Sequence, residues 1–212
     1  MIKEQDLWNE VVSMIKKSNR KIQIYEGKEN VGHLEIEALG LNRKSTLGVI
    51  ILYTSGICVD NWIRIIGQNC LERKGIVMYN ELDKRKENTV LEGMLIIGQD
   101  IVGGIFAINR EKFVEGIHKI WYFAPDTLEW ECLDMSYAEF IAWLMQGNTD
   151  EFYSSMRWDN WREDCRSINF NEVLLIYPFL WSKECDLKKI SKKAVPYEEL
   201  MGINFEYALK FN

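Results

Sequence analysis

Four carboxylates lie close together in one short stretch of the chain and are its first candidates for chemistry: Asp126, Glu129, Glu131 and Asp134. A glycosidase needs two carboxyl groups that face each other across a cleft. Glu129 and Glu131 instead alternate along a predicted strand, so they share one face and lie side by side. Asp126 falls in a predicted turn. The spacing favours a solvated or partner-facing surface over acid–base catalysis.

The segment from Gly98 to Gly104, GQDIVGG, matches the G-x-x-x-x-G frame of a phosphate-binding loop. Gly104 and Ile105 occupy the positions where that loop needs Lys and then Ser or Thr. A strand also follows, where a helix is required to direct its dipole at phosphate. A hairpin turn explains the glycines better, and we predict one here.

The sequence contains no motif for nucleophilic or metal chemistry. His33 and His118 are isolated, the five cysteines include no C-x-x-C pair, and no G-x-S-x-G segment occurs. Zinc sites and activated nucleophiles need these residue types at short, defined spacings or brought together by the fold. We therefore predict no catalytic residue, no metal site and no cofactor.

Tryptophan is unusually frequent, with eight residues. Trp121 lies in a predicted strand and Trp143 on a predicted helix, which favours core positions for both. Trp62, Trp158, Trp161 and Trp181 lie in turn-rich segments. There they could pack in the core or form an aromatic surface that anchors a partner.

The stretch from residue 120 to 147 must position the carboxylates, and its pattern is the clearest in the chain. Ile120–Ala124 is apolar on both faces, as in a central strand that is covered on each side. Pro125 and Asp126 predict a type I turn, and a second strand runs from Leu128 to Cys132. A helix follows, with Ser136 and Glu139 as its capping box and a stop at Gly147.

Hydrophobic periodicity and turn residues predict the remaining elements. Helices are predicted at Asp6–Lys17, Val31–Leu39 and Thr46–Thr54. A C-terminal helix begins at Tyr197 and is interrupted near Gly202. Basic loops are expected at Asp83–Lys86 and Lys188–Lys193. Strands are predicted at Ile22–Tyr25, Ile57–Val59, Trp62–Ile66, Met94–Ile97, Ile105–Ile108 and Val173–Ile176.

Length and charge bound the class of protein. The 212 residues fit a single domain, and a net charge of −6 argues against generic nucleic-acid binding. The N-terminus has no signal-peptide pattern, and no apolar run approaches the roughly 18 residues of a transmembrane span. We expect a cytoplasmic protein without membrane contact.

Several blocks resemble a bacterial family of about this length that is catalogued only as a domain of unknown function. They include TLGVIILYTSGICVDNWIRIIG, GGIFAIN and YPFLW, and the most specific is FAPDTLEW, from Phe123 to Trp130. The resemblance covers most of the chain from Ser45 onward. It brings no activity with it.

The order of elements over about residues 45–147 is also similar to that of the SUKH superfamily, the Smi/Knr- and Syd-like proteins. This resemblance implies an α+β fold with a mostly antiparallel sheet flanked by helices. Residues 148–212 would then form a helical extension. Members of the superfamily serve as immunity proteins against bacterial toxins or as interaction scaffolds, and they are not enzymes.

The leading hypothesis is therefore a non-enzymatic protein-binding module, an immunity protein or a scaffold. Its partner would be another protein, for example a basic toxin domain, and its oligomeric state stays open. The alternative is a small-molecule-binding protein or an enzyme with a pocket near Asp100, Gly103 and Gly104. A structural subunit of a larger assembly is a third option. The residues predicted to form the binding face are Asp60, Trp62, Asp100, Asp126 and Glu129.

Overall fold

A seven-stranded sheet forms the centre of the computed structural model, which describes residues 3–81 and 90–211. Each strand pairs antiparallel with the next one in the chain, so the spatial order equals the sequence order. The predicted α+β fold with a mostly antiparallel sheet is confirmed. The strands are β1 (Ile22–Glu26), β2 (Thr54–Val59), β3 (Ile63–Ile66), β4 (Met94–Asp100), β5 (Ile105–Asn109), β6 (Ile120–Phe123) and β7 (Trp130–Cys132).

Helices cover this sheet. They are α1 (Glu4–Lys17), α2 (Glu29–Ala38), α3 (Thr46–Tyr53), α4 (Ile76–Glu81), α5 (Tyr137–Gln146), α6 (Thr149–Phe152), α7 (Trp161–Asp164) and α8 (Tyr197–Phe211). A separate antiparallel hairpin of β8 (Glu172–Tyr177) and β9 (Ser191–Pro196) precedes α8. In the two described ranges, no helix combines the length and the apolar character needed to cross a bilayer.

The meander topology brings three hairpin turns to one end of the sheet. Because successive strands run in opposite directions, the turns after β2, β4 and β6 all lie at the same end of the strands. These turns contain Asp60–Asn61, residues 101–104 and residues 125–128. We call this end of the sheet the turn end. The predicted binding residues therefore come from one end of the sheet.

Two helices show why local sequence was informative. Ser45 caps α3 by accepting a hydrogen bond from the Gly48 amide at 3.0 Å. The β-branched residues at 49–51 stay helical because they are buried on all sides of α3. In α5, Ser136 accepts from the Glu139 amide and the Glu139 carboxylate accepts from the Ser136 amide, the predicted capping box.

The C-terminal segment packs on both faces of the sheet. Neighbouring residues of β6 point to opposite faces: Tyr122 packs against Phe152 of α6, whereas Phe123 packs against Phe205 of α8, with ring centroids 5.1 and 5.5 Å apart. The α5 ring of Phe140 lies 4.8 Å from that of Phe106, on the Tyr122 side. Residues beyond 148 thus complete the core.

Four local predictions need correction. β6 is the strand next to the edge strand β7, not a central one, and β7 begins at Trp130 because Leu128 turns inward with φ +61°. Lys192 and Lys193, predicted in a loop, lie in β9. The helix α8 continues through Gly202, because the buried side chains on both sides of it outweigh the roughly 1 kcal/mol cost of glycine in a helix. The predicted loop Asp83–Lys86 lies outside the described residues.

Two leucines on α8 test whether this helix belongs to the core. Leu200 is 3% exposed and Leu209 is 53% exposed. We expect Leu200→Ala to lower the free energy of unfolding by about 2–5 kcal/mol, because it leaves a cavity against the sheet. Leu209→Ala, the matched control on the same helix, should change it by less than about 0.5 kcal/mol. Urea unfolding of both variants measures the difference, and equal small effects would contradict the packing of α8.

Candidate functional site

Asp100, at the end of β4, is completely buried, with an exposed fraction of 0%. Its Oδ1 accepts hydrogen bonds from the amides of Val102 and Gly104, at 3.0 and 2.8 Å. Its Oδ2 accepts from the hydroxyls of Tyr122, at 2.6 Å, and Tyr153, at 3.2 Å. Four donors from three parts of the chain therefore satisfy one carboxyl group. We call these five residues the Asp100 network.

Protein atoms fill the space around this carboxyl group. A Cβ atom on Gly104 would lie 2.2 Å from Asp100 Oδ2 and 2.3 Å from the Tyr122 hydroxyl. Burial raises the pKa of Asp100, and its hydrogen bonds oppose that shift. Asp100 is therefore not part of a surface, and the predicted pocket beside Gly103 and Gly104 is replaced by close packing.

Trp62 is equally inaccessible, also at 0% exposure. Its ring packs against those of Tyr153 and Trp161, with centroids 5.3 and 5.0 Å apart. The Arg157 guanidinium lies 4.8 Å above the Trp62 ring and 4.0 Å above the Trp161 ring, a cation–π arrangement. Trp158 is buried beside them. Three of the four tryptophans from turn-rich segments thus belong to the core, and Trp62 is not a partner-binding residue in this structure.

Asp60 retains partial exposure but is held in place. Its carboxylate accepts hydrogen bonds from Arg20 Nη1 at 2.9 Å and from the Lys21 amide at 3.0 Å. Asp60 and Asn61 both have φ +54°, in the left-handed region, which Asp and Asn tolerate better than most residues. The Asp60 side chain lines an open polar cleft of about 450 Å³ together with Arg162. Its first role is to fix the β2–β3 turn to the segment before β1.

Asp126, Glu129 and Glu131 remain together at the surface, and we call them the acidic hairpin. The turn closes through a hydrogen bond of 2.9 Å from the Leu128 amide to the Ala124 carbonyl. This bond spans one residue more than the bond of the predicted type I turn. Partial burial, and then the negative charges of Asp126 and Glu129, raise the pKa of Glu131. Asp126 and Glu129 therefore lie close enough to Glu131 to disfavour its negative charge.

The two buried cysteines, Cys58 and Cys165, lie in surroundings that disfavour thiolates. Burial raises the pKa of Cys58 and, to about 12, that of Cys165. A nucleophilic cysteine needs the opposite shift. Within residues 3–81 and 90–211, no group of three or more His, Cys, Asp or Glu side chains is arranged to hold a metal ion.

Sequence reasoning missed the polar residues that the fold buries. Tyr122 and Tyr153 are 31 positions apart in the chain, and only the packing of α6 on the sheet brings both hydroxyls to Asp100. Arg64 on β3 is also buried, donates to the Asn169 carbonyl at 3.1 Å, and has a pKa lowered by burial. One indication of such a residue was present in the sequence: Arg64 is a charged residue within the apolar strand predicted at Trp62–Ile66.

The chain belongs to the family described as "Protein of unknown function DUF2625", whose model matches residues 1–200. The expectation of a family without an assigned activity is confirmed. The uncharacterized protein YbfG of Escherichia coli K12 is 29% identical over 206 residues, covering 96% of this chain and 92% of that protein. An uncharacterized protein of Haemophilus influenzae is 25% identical over 205 residues, covering 96% and 87%. No solved structure matches the chain significantly.

Substitutions of Asp100 should lower the free energy of unfolding, by an amount that depends on the hydrogen bonds they leave unmade. Asp100→Leu leaves two amides and two hydroxyls buried without their acceptor, at about 1–3 kcal/mol for each unsatisfied group, so it should destabilise the fold by at least about 3 kcal/mol. Asp100→Asn keeps an acceptor for the amides and can donate to the tyrosine oxygens. We therefore expect Asn to cost markedly less than Leu.

The pH dependence of the same variants follows from the raised pKa. The folded protein binds the Asp100 proton more tightly than the unfolded chain, so this contribution to stability is present at low pH and is lost as the pH rises through the folded-state pKa. The stability of Asp100→Asn relative to wild type should therefore improve as the pH rises. Urea unfolding at acidic and neutral pH measures this trend, and the opposite trend would refute the sign.

Proposed function

We propose that this protein is a non-enzymatic protein-binding module that uses the acidic hairpin to bind a basic surface of another protein. The observation that carries the proposal is the grouping of three carboxylates, Asp126, Glu129 and Glu131, on one surface hairpin, where the first two repel the charge of Glu131. A cationic partner would relieve this repulsion, and complementary charge favours both rapid association and selection of the partner.

The position of the acidic hairpin suits recognition. In the described sheet, β7 pairs with β6 on one side and ends the strand order, so it is an edge strand. An edge strand presents backbone donors and acceptors, and charged residues on it discourage unspecific pairing with other sheets. The acidic hairpin can therefore bind a positively charged partner and disfavour pairing with uncharged strands.

The surroundings of the reactive groups support a role without catalysis. Both oxygens of Asp100 are engaged by hydrogen bonds inside the core, where substrate has no access. The pKa values of Cys58 and Cys165 are raised, which leaves these thiols protonated at neutral pH. Such groups stabilise a fold more readily than they attack a substrate.

More specifically, we propose that this protein-binding module is an immunity protein against a bacterial toxin domain. The more general proposal is an interaction scaffold. This step depends on the similarity of the element order to the SUKH superfamily, which stays a prediction. A toxin domain that acts on nucleic acid needs a basic active-site face. The acidic hairpin would cover such a face stoichiometrically.

A binding measurement tests the proposal. The partner to be used is the polypeptide encoded next to this protein's gene, and affinity is measured by biolayer interferometry. We expect the triple variant Asp126→Asn/Glu129→Gln/Glu131→Gln to bind at least about tenfold more weakly, which corresponds to about 1.4 kcal/mol. Added salt should weaken the wild-type complex as well.

The matched control removes three exposed carboxylates elsewhere: Glu10→Gln/Glu37→Gln/Glu184→Gln. It changes the net charge by the same amount and should keep the wild-type affinity. Equal losses in the two triple variants would show that only net charge matters. The absence of any binding by the wild-type protein would count directly against the proposed function.

A further inference from the structure

An open cleft of about 940 Å³ lies at the end of the sheet opposite the turn end. Leu95 near the start of β4, Arg110 just after β5 and His118 just before β6 place it there. The segment between α2 and α3, together with Leu7 of α1 and the first residues of α5, forms the rest of its lining. We call it the amphipathic cleft.

The lining of the amphipathic cleft is apolar with a basic border. Its walls are formed by the apolar side chains Leu7, Leu39, Leu41, Leu47, Leu95 and Ile108. Lys44, Arg110 and His118 add basic groups. None of the described residues that line the cleft is acidic, although the whole chain carries a net charge of −6. The local charge is therefore opposite to that of the protein.

Two helix N-termini open onto the same cleft. Thr46 and Leu47 are the first two residues of α3, and Tyr137 and Ala138 are the first two of α5. The caps, Ser45 and Ser136, accept from the third residue of each helix, Gly48 and Glu139. Amides at the first two positions have no acceptor within a helix, and the helix dipole makes this end positive. The N-terminus of α3 therefore favours an anion in the cleft, and that of α5 adds to this effect beyond what the Glu139 carboxylate offsets.

A buried hydroxyl adds an independent observation. Tyr137 lines the cleft, is more than nine-tenths buried, and its hydroxyl has no hydrogen-bond partner among the described residues. A buried polar group without a partner is uncommon and costs stability. Arg110 donates to the Leu39 carbonyl at 3.3 Å through Nη2. A guanidinium has five N–H donors, so this bond leaves capacity for an anionic ligand.

We propose that the amphipathic cleft binds a small amphipathic carboxylate, with its apolar chain against the leucine walls and its carboxylate toward Arg110 and the two helix N-termini. The volume is in the range of ligand pockets, which combine mostly apolar walls with a few polar groups that fix orientation. A phosphate or a sugar would leave the leucine walls in contact with water. A purely apolar ligand would make no use of Arg110 or of the two helix N-termini.

Three soluble probes have the same apolar chain and differ in the charge of the head group: octanoate, 1-octanol and octyltrimethylammonium. They test whether the cleft requires a carboxylate. Titrations followed by ¹H–¹⁵N NMR should show saturable shifts at the amides of Thr46 and Ala138 with octanoate. We expect 1-octanol to bind at least about tenfold more weakly, since hydrogen bonds to a charged group are the stronger ones. The ammonium probe should cause no saturable shift. Equal affinity for all three probes, or no saturation with octanoate, would overturn the proposal.

Substitutions at Ala138 test the site without disturbing the core, because this residue is exposed in the first turn of α5. Ala138→Glu suits the helix dipole and should preserve the fold, yet it should weaken octanoate binding at least about tenfold by charge repulsion. Ala138→Lys, the matched control at the same position, should keep or strengthen binding. If both variants behave alike, the charge of the ligand does not matter and the proposal fails.

Arg110→Gln removes the guanidinium at the border of the cleft and should weaken octanoate binding about tenfold. Arg166→Gln is its control, since Arg166 is exposed in the short 3₁₀ helix Cys165–Ser167 and pairs with Glu163 at 2.9 Å, outside the lining of the cleft. Thermal unfolding of each variant establishes that it is folded. Unchanged affinity in Arg110→Gln would refute the assigned position of the carboxylate.

Discussion

The buried carboxyl group of Asp100 is the constraint on which the turn end of the sheet depends. Removing a carboxyl group from water is costly unless hydrogen bonds replace the lost hydration. Its four donors come from the β4–β5 turn, from Tyr122 on β6 and from Tyr153 just after α6. Each donor is itself buried and needs this acceptor. The interaction therefore joins the hairpin, the sheet and the segment that begins the C-terminal third.

This constraint also decides which parts of the turn end can meet a partner. The middle turn is closed, because Gly104 has no space for a side chain and the Leu174 amide donates to the Ile101 carbonyl at 2.6 Å. The outer turns keep polar groups at the surface. Asp60 is already paired with Arg20, whereas Asp126 and Glu129 stand beside another carboxylate. Of the five residues first expected to bind, Asp126 and Glu129 are the two that lie beside another acidic side chain.

The sequence predicted what depends on near neighbours. The capping box of α5, the cap of α3 and the Asp60–Asn61 turn each need residues within a few positions, and each is present. Long-range packing was out of reach: Trp62 gave no sign that Tyr153 and Trp161 would enclose it. β9 was missed because only Val195 in it is buried, so the alternation that signals a strand is absent. No motif marks the amphipathic cleft, since its lining comes from α1, the segment between α2 and α3, α3, two strands and α5.

The charges of the molecule are separated along the strands of its sheet. The turn at Asp126 and Glu129 lies at the turn end, and the amphipathic cleft lies at the other end, where β4 begins and β5 ends. The N-termini of α3 and α5 both lie at that second end and add positive potential to a cleft whose described lining has no acidic side chain. Because the two regions share no residue, a partner on the acidic hairpin need not exclude a ligand from the cleft. One strand, β4, connects the cleft to the Asp100 network, because Leu95 lies near its start and Asp100 at its end.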